Sequence, residues 1–367
     1  MSECVHPVQE IPRGARGIEV NKKFYLNFKG MLILVIYRMS LVFMILTSRA
    51  KRLQEDTLKR LFTLTESFAW TDMPLIDKET GEVTMAGWLR RIDKIWQKVV
   101  ITELTFHFSQ SAVRMFAFRD TIFPCWYPFD IYASPAYEVI LLTQILASVR
   151  YTCVFCSTSY LYSKVVCIAC VQLEKLRVTL LRIKKYAVSS DTNSELKNQE
   201  NNDEINSTNE QLRQIIKHHT LILRYINLLQ EVTKLMAGGM LFLFLLSLCM
   251  TAFSAIMSWG DFIDMSQSVF IYIGVLLMAF SYCSIGTALA REYEAVKDAA
   301  FACDWIGTPV TFQRSIAIIM SIANKGKALL GGIVPMTNET LMAMVNESMS
   351  LFMFLLAMKD KSEGKNE

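Results

Sequence analysis

The chain has 367 residues, of which 52% are hydrophobic and only 20% charged. Average soluble domains carry about a quarter charged residues, so a soluble reading would need an unusually large core or helices apolar on every side. The formal net charge of +4 is small and scattered, which gives no case for a nucleic-acid partner.

Residues 1–23 are polar, and the first apolar run lacks the small-residue cleavage site of a signal peptide. That run, 24–48, is interrupted by Arg38 and followed by Arg49, Lys51, Arg52, Lys59 and Arg60. Residues 49–70 keep helical apolar spacing and are expected to extend a membrane helix inward. "IDKETGE" (76–82) reads as a turn bending at Gly81.

A second apolar run, 98–118, carries Glu103. The stretch after it, "FPCWYPFDIYASPAYEV" (123–139), sets three prolines among aromatic side chains, with only Asp130 and Glu138 charged. Proline fixes φ and removes a donor, so this segment breaks helix and strand alike. The third run, 135–173, contains Arg150 and Lys164 and leads into "EKLRVTLLRIKK" (174–185). Residues 187–211 are polar and asparagine-rich, and are expected to be disordered. Helical spacing resumes over 212–234.

Residues 235–260 and 265–290 contain no charged side chain. Each stretch exceeds the ~20 residues that a helix needs to cross a ~30 Å hydrocarbon core. They give spans at 235–258 and 267–290, and a last span at 330–358 carries Glu339 and Glu347. The fold class is therefore all-α, a polytopic helical membrane protein with six visible spans. Lysine and arginine cluster after the first, third and fifth spans, whereas 119–134 and 259–266 hold one basic residue, Arg119. The positive-inside rule then places the aromatic turn and the carboxyl end outside. Sequons at Asn206, Asn338 and Asn346 fall inside or within spans and are expected to stay unmodified.

Several patterns suggest chemistry. Cys153-x-x-Cys156 and Cys167-x-x-Cys170 resemble paired zinc knuckles. Fourteen residues of helix part the two pairs by about 21 Å, so four thiolates cannot converge on one ion. His218 and His219 are adjacent and point apart on a helix. With no HExxH, GxSxG or phosphate loop, neither an enzyme nor a cofactor is expected. Gly238-Gly239 and Gly331-Gly332 open spans and suit close packing or a kink.

Glu103 and Arg150 each lie 15 residues from the outer ends of adjacent antiparallel spans, at roughly 22 Å depth by helical rise. They are expected to form a buried ion pair, since either alone would be an uncompensated charge. In the last span, Glu347, Leu351, Phe354 and Met358 form one stripe at steps of four, three and four. Such a stripe either attracts cations and closes by dewetting, or belongs to an ordinary packed helix.

Motifs spread along the chain resemble the insect odorant receptor family. "FPCWYPFDIYASPAYEVILLTQ" is similar to that family's P-x-W-Y-P-F-D … S-P-x-Y-E outer loop and the helix that follows. "SFAWTDMP … TGEVTMAGW", "HHTLILRYINLL", "FSYCSIGTALARE", "AFACDWIG" with Arg314, and "ETLMAMVNESMSLF" resemble further family segments in the same order. Three departures stand out. The run "FYLNFKGMLILVIYRMSLVFMILTSRAKR" resembles the family's second helix, so its first is expected to be absent here. Met349 replaces a last-helix tyrosine, and "NKGKALLGG" replaces the usual approach to that helix.

The resemblance implies an odorant-gated cation channel, a heterotetramer with a shared co-receptor subunit, in the plasma membrane of olfactory sensory neurons. The chain would comprise a polar segment 1–23, a transmembrane domain 24–358 and a short extracellular tail 359–367. By position, Phe354 and Met358 would form the gate and Glu347 would face the ion path, with Leu351 between them on the pore stripe. A small volatile odorant would bind in the outer half of the bundle. Candidate lining residues there are Phe28, Leu32, Ser109, Gln110, Val113, Tyr137, Leu141, Ile145, Phe253, Met257, Tyr272 and Val275. Trp126 and Tyr127 would anchor in headgroups above them. Rival readings are a gustatory receptor of the same superfamily, a G-protein-coupled receptor, a secondary transporter or a nonfunctional truncated product.

Overall fold

A computed structural model describes residues 55–68, 83–113, 115–116, 121, 133–182, 195–257, 262–303, 305–306, 308–324 and 328–363. The first expected span, the turn at 76–82 and most of the aromatic loop lie outside these residues. Among the described residues the chain is helical throughout, apart from one two-stranded hairpin. The order is α1 (Glu55–Glu66), α2 (Met85–Val113), α3 (Ala136–Leu181), α4 (Glu195–Met257), α5 (Phe262–Ala302) and α6 (Val310–Asn324). The hairpin strands β1 (Leu330–Gly331) and β2 (Val334–Pro335) follow, and then α7 (Asn338–Glu363). Parts of α3, α4, α5 and α7 are long and apolar enough to cross a membrane.

Three helices far exceed a bilayer. The 46 residues of α3 span about 69 Å at 1.5 Å rise per residue. The molecule therefore has a distal half, holding the start of α3, the end of α4 and the start of α5. Its basal half holds α1, α6, the hairpin and the other ends of those helices.

The basal half is the core. Along α3, Val165, Val166, Cys167, Ile168, Ala169, Cys170, Val171, Gln172, Leu173 and Glu174 are all buried, so this stretch is enclosed on every side. A helix apolar all round is what such a position requires. Tyr162 and Tyr282 stack at 4.4 Å between ring centres, and Phe244 meets Tyr282 edge-on at 5.4 Å. The Tyr282 hydroxyl donates to Ser159 Oγ at 3.2 Å, and the Tyr225 hydroxyl donates to the Val165 carbonyl at 3.0 Å. Glu174 accepts the Met85 amide at 2.9 Å, placing a carboxylate at the amino end of α2 where the helix dipole favours it.

Two expectations are corrected. Helix α4 begins at Glu195, so the stretch expected to be disordered over 187–211 is helical from that residue onward. Its Glu, Gln and Lys are good helix formers, and the stretch continues a helix already anchored by packing from Leu212. The last span does not begin at 330. Pro335 cannot sit inside a helix, and residues 330–335 form the hairpin, with Leu330 opposite Pro335 and Gly331 opposite Val334. Gly332 turns its tip with φ +67°, a conformation that side chains disfavour. Helix α7 then starts at Asn338, where Thr337 Oγ1 caps the Thr340 amide at 3.5 Å.

Candidate functional site

The distal half is open by comparison. Antiparallel α2 and α3 leave a cleft lined by Leu104, Phe108, Ser111, Ile145, Ser148, Val149 and Thr152. Of the expected lining residues, Ile145 lines this cleft. Tyr137 and Phe253 are buried, and Leu141, Tyr272 and Val275 are half-buried. Ser109 and Val113 are exposed and lie outside the cleft, and the Ser109 hydroxyl donates to the Phe106 carbonyl at 2.9 Å. On α2 the stripe 104–108–111 faces α3, and residue 109 is turned ~100° from residue 108. Phe28 and Leu32, and the side chains of Gln110 and Met257, lie outside the described residues.

Helix α5 packs on α2 and α4 in the same half. Phe106 stacks on Phe270 at 3.6 Å between ring centres. Ser254 of α4 hydrogen-bonds Ser268 of α5 at 3.0 Å.

The expected Glu103–Arg150 ion pair is not formed among the described residues. The register is consistent with the depth estimate, because Leu104, next to Glu103, and Val149, next to Arg150, line the same cleft. The faces do not agree. Arg150 is exposed, and Glu103 Oε1 turns to α5, 3.1 Å from where a Cβ on Gly274 would sit. The ion pair that joins α2 to α3 lies farther toward the base, between Asp93 and Lys164, with the Tyr160 hydroxyl donating to the same carboxylate oxygen at 2.9 Å. The Lys164 ammonium holds the Asp93 carboxyl below the usual carboxylate range, against the opposing effect of burial.

The base of α7 is held on two sides. The Gln230 side chain of α4 grips one residue of β1, accepting the Leu330 amide at 2.8 Å and donating to the Leu330 carbonyl at 2.9 Å. A carboxamide supplies a donor and an acceptor side by side, as a neighbouring strand would. The Gly332 amide donates to the Lys234 carbonyl at 2.8 Å. The two glycine pairs singled out in the sequence meet here, since a Cβ on Gly238 would lie 2.8 Å from the Gly332 nitrogen. On the α5 side, fully buried Met336 fills the notch at Gly286, where a Cβ would approach the Met336 carbonyl oxygen to 2.1 Å. The Asn338 amide donates to Thr287 Oγ1 at 3.0 Å.

Above this base α7 is two-faced. Leu341, Met344, Ser348 and Phe352 are buried at helical spacing. Glu347, Leu351, Phe354 and Met358 are exposed on an adjoining face, and Met342, Met349 and Met353 are exposed as well. Sequence reasoning found that stripe but missed Gln230, Gly286 and Met336. A glutamine on a cytosolic-type helix looks like any solvated polar residue; only Pro335 beside the Gly-Gly pair signalled that a turn precedes α7.

A family model described as 7tm odorant receptor matches residues 28–349. The fold is similar to two structures of the insect olfactory receptor OR5 from Machilis hrabei. One has a TM-score of 0.64 at 14% identity, with 96% of this chain and 93% of that chain covered. The other, in complex with eugenol, has a TM-score of 0.63 at 15% identity with the same coverage. No curated protein matches the chain in sequence.

Proposed function

The chain belongs to the odorant receptor family, and from that premise we propose that it is the odorant-binding subunit of a ligand-gated cation channel. It is a multi-pass membrane protein of a receptor family rather than an enzyme family. The observation that carries the channel reading is the two-faced α7. One face of an apolar, membrane-length helix is packed, while the stripe of Glu347, Leu351, Phe354 and Met358 is left uncovered by its own chain. Four such stripes around an axis would give a carboxylate ring and apolar constrictions, the elements of cation attraction and dewetting closure. A fourfold pore shared with a co-receptor subunit, in the plasma membrane of olfactory neurons with the carboxyl end outside, follows from this reading.

The ligand site belongs to the distal half. A small, weakly polar molecule suits the α2–α3 cleft and the α2–α5 contact, where Phe108, Ile145, Phe106 and Phe270 offer apolar surface and Ser148 and Thr152 a few hydroxyls. The OR5 structure in complex with eugenol supports a small organic ligand for this fold. Binding there is coupled to α7 through α5, which reaches from the distal contacts to the Gly286 notch.

Whole-cell recording tests the reading. The chain is expressed with and without a co-receptor, with G-protein signalling blocked in the pipette, and an odorant panel is applied. A fast cation current that needs both subunits is expected. A current that disappears with G-protein block would favour the G-protein-coupled reading. In the Glu347→Gln channel, divalent permeability should fall; unchanged permeability would remove Glu347 from the ion path.

A further inference from the structure

Glu103 is a carboxylate inside a membrane-spanning bundle with no protein partner among the described residues. No ion pair or hydrogen bond from the described residues reaches it, and its side chain is half-buried. It sits on α2, and its Oε1 faces the bare backbone of Gly274 on α5. One turn toward the carboxyl end of α2, Phe106 stacks on Phe270, so the same α2–α5 seam carries an aromatic pair beside the carboxylate. A charge at this depth is costly unless something neutralises it, and among the described residues no side chain does so.

We propose that Glu103 is the specificity-determining residue of the ligand site, selecting small organic molecules that carry a protonated amine. This rests on the odorant-receptor reading and deepens it. The ammonium supplies the missing counter-charge through a charge-assisted hydrogen bond. Phenylalanine faces attract cations and cover apolar groups, so the Phe106–Phe270 pair accommodates the carbon next to the nitrogen. Gly274 matters because any side chain there would crowd the carboxylate: a Cβ would lie 3.1 Å from Oε1.

The test is binding, which does not require a current. The full chain in lipid nanodiscs is titrated with a series of n-alkylamines and the matched n-alkanols, following thermal unfolding, with ammonium chloride at equal concentration as the inorganic control. Amines should half-saturate the shift at concentrations about ten-fold to a hundred-fold below the alcohols, as a hydrogen bond to a charged group predicts. Glu103→Gln should abolish that preference, so that amines and alcohols half-saturate the shift at similar concentrations in the variant. Equal binding of amines and alcohols, an equal shift from ammonium chloride, or a preference that survives in Glu103→Gln would each overturn the proposal. Should Glu103→Gln not reach the membrane, Gly274→Ala provides the second reading, and an undiminished amine preference there would overturn it too. An amine preference without any current in whole-cell recording would count against the channel reading alone.

Discussion

The two halves of the bundle are made of the same long helices yet are built to different rules. In the basal half a stretch of α3 is enclosed on every side. Tyr162 and Tyr282 stack face to face there, with the Tyr282 hydroxyl bonded to Ser159 and the Tyr162 hydroxyl without a partner among the described residues. In the distal half the same helix exposes Val139, Leu142 and Leu146, and α5 exposes Phe262, Ile273 and Leu277. The basal half is the closely packed frame, and the distal half is where the ligand is proposed to bind. Local stability in proteins is divided in this way when one part must move and another must hold it.

The largest expected effect tests the frame. Tyr282→Ala removes a side chain that is 1% exposed, together with its stack on Tyr162 and its bond to Ser159. Such a deletion should cost about 3–5 kcal/mol, visible as a large fall in melting temperature and loss of surface labelling. Ile145→Ala in the half-buried distal cleft should cost less than about half as much while shifting odorant sensitivity. Equal losses at the two sites would break the distinction between the halves.

The next effect concerns the join between frame and α7. In Gly286→Ala the new methyl would sit 2.1 Å from the Met336 carbonyl oxygen unless α5 and the hairpin separate. Overpacking of this kind costs about 1–3 kcal/mol, and measured unfolding should place it below Tyr282→Ala. Gln230→Glu comes third. A carboxylate can accept the Leu330 amide but cannot donate to the Leu330 carbonyl. Leaving that part-buried carbonyl unpaired should cost about 1–3 kcal/mol. If the clasp fixes α7, current without odorant should rise in this variant, whereas unaltered gating would reduce the clasp to a packing detail.

The sequence displayed some of this plainly. Uncharged runs marked the apolar parts of α4 and α5, and the glycine pairs at 238–239 and 331–332 were recognisable as close-approach positions before their contact was visible. Depth was readable to the extent that helical rise is constant: Leu104 and Val149, the neighbours of residues 103 and 150, line one cleft between α2 and α3. Azimuth was not. Which neighbour a side chain faces depends on how each helix is rotated in the bundle, and Glu103 met α5 instead of Arg150. The hairpin was hidden for another reason, since "LLGGIVPM" continues the apolar composition of the last span and only Pro335 interrupts it. Gln230 left no signal, because its role consists of two hydrogen bonds to a single residue a hundred positions away.

The smallest effect on stability is expected to be the most informative for function. Phe354 is 60% exposed in its own chain, so Phe354→Ala takes little from the fold and should change unfolding by no more than about 0.5 kcal/mol. Its position gives it leverage. It lies 16 residues beyond Asn338, about 24 Å along α7 from the clasped base at 1.5 Å per residue. A tilt of α7 about that base displaces Phe354 far more than Leu341 or Met344, which stay packed near the pivot. If the uncovered stripe closes a pore, deleting the ring should leave the protein as stable as before and raise the current in the absence of odorant. A stable variant with no such leak would place the constriction at Met358 or remove the stripe from the pore, and Met358→Ala in the same recording distinguishes the two.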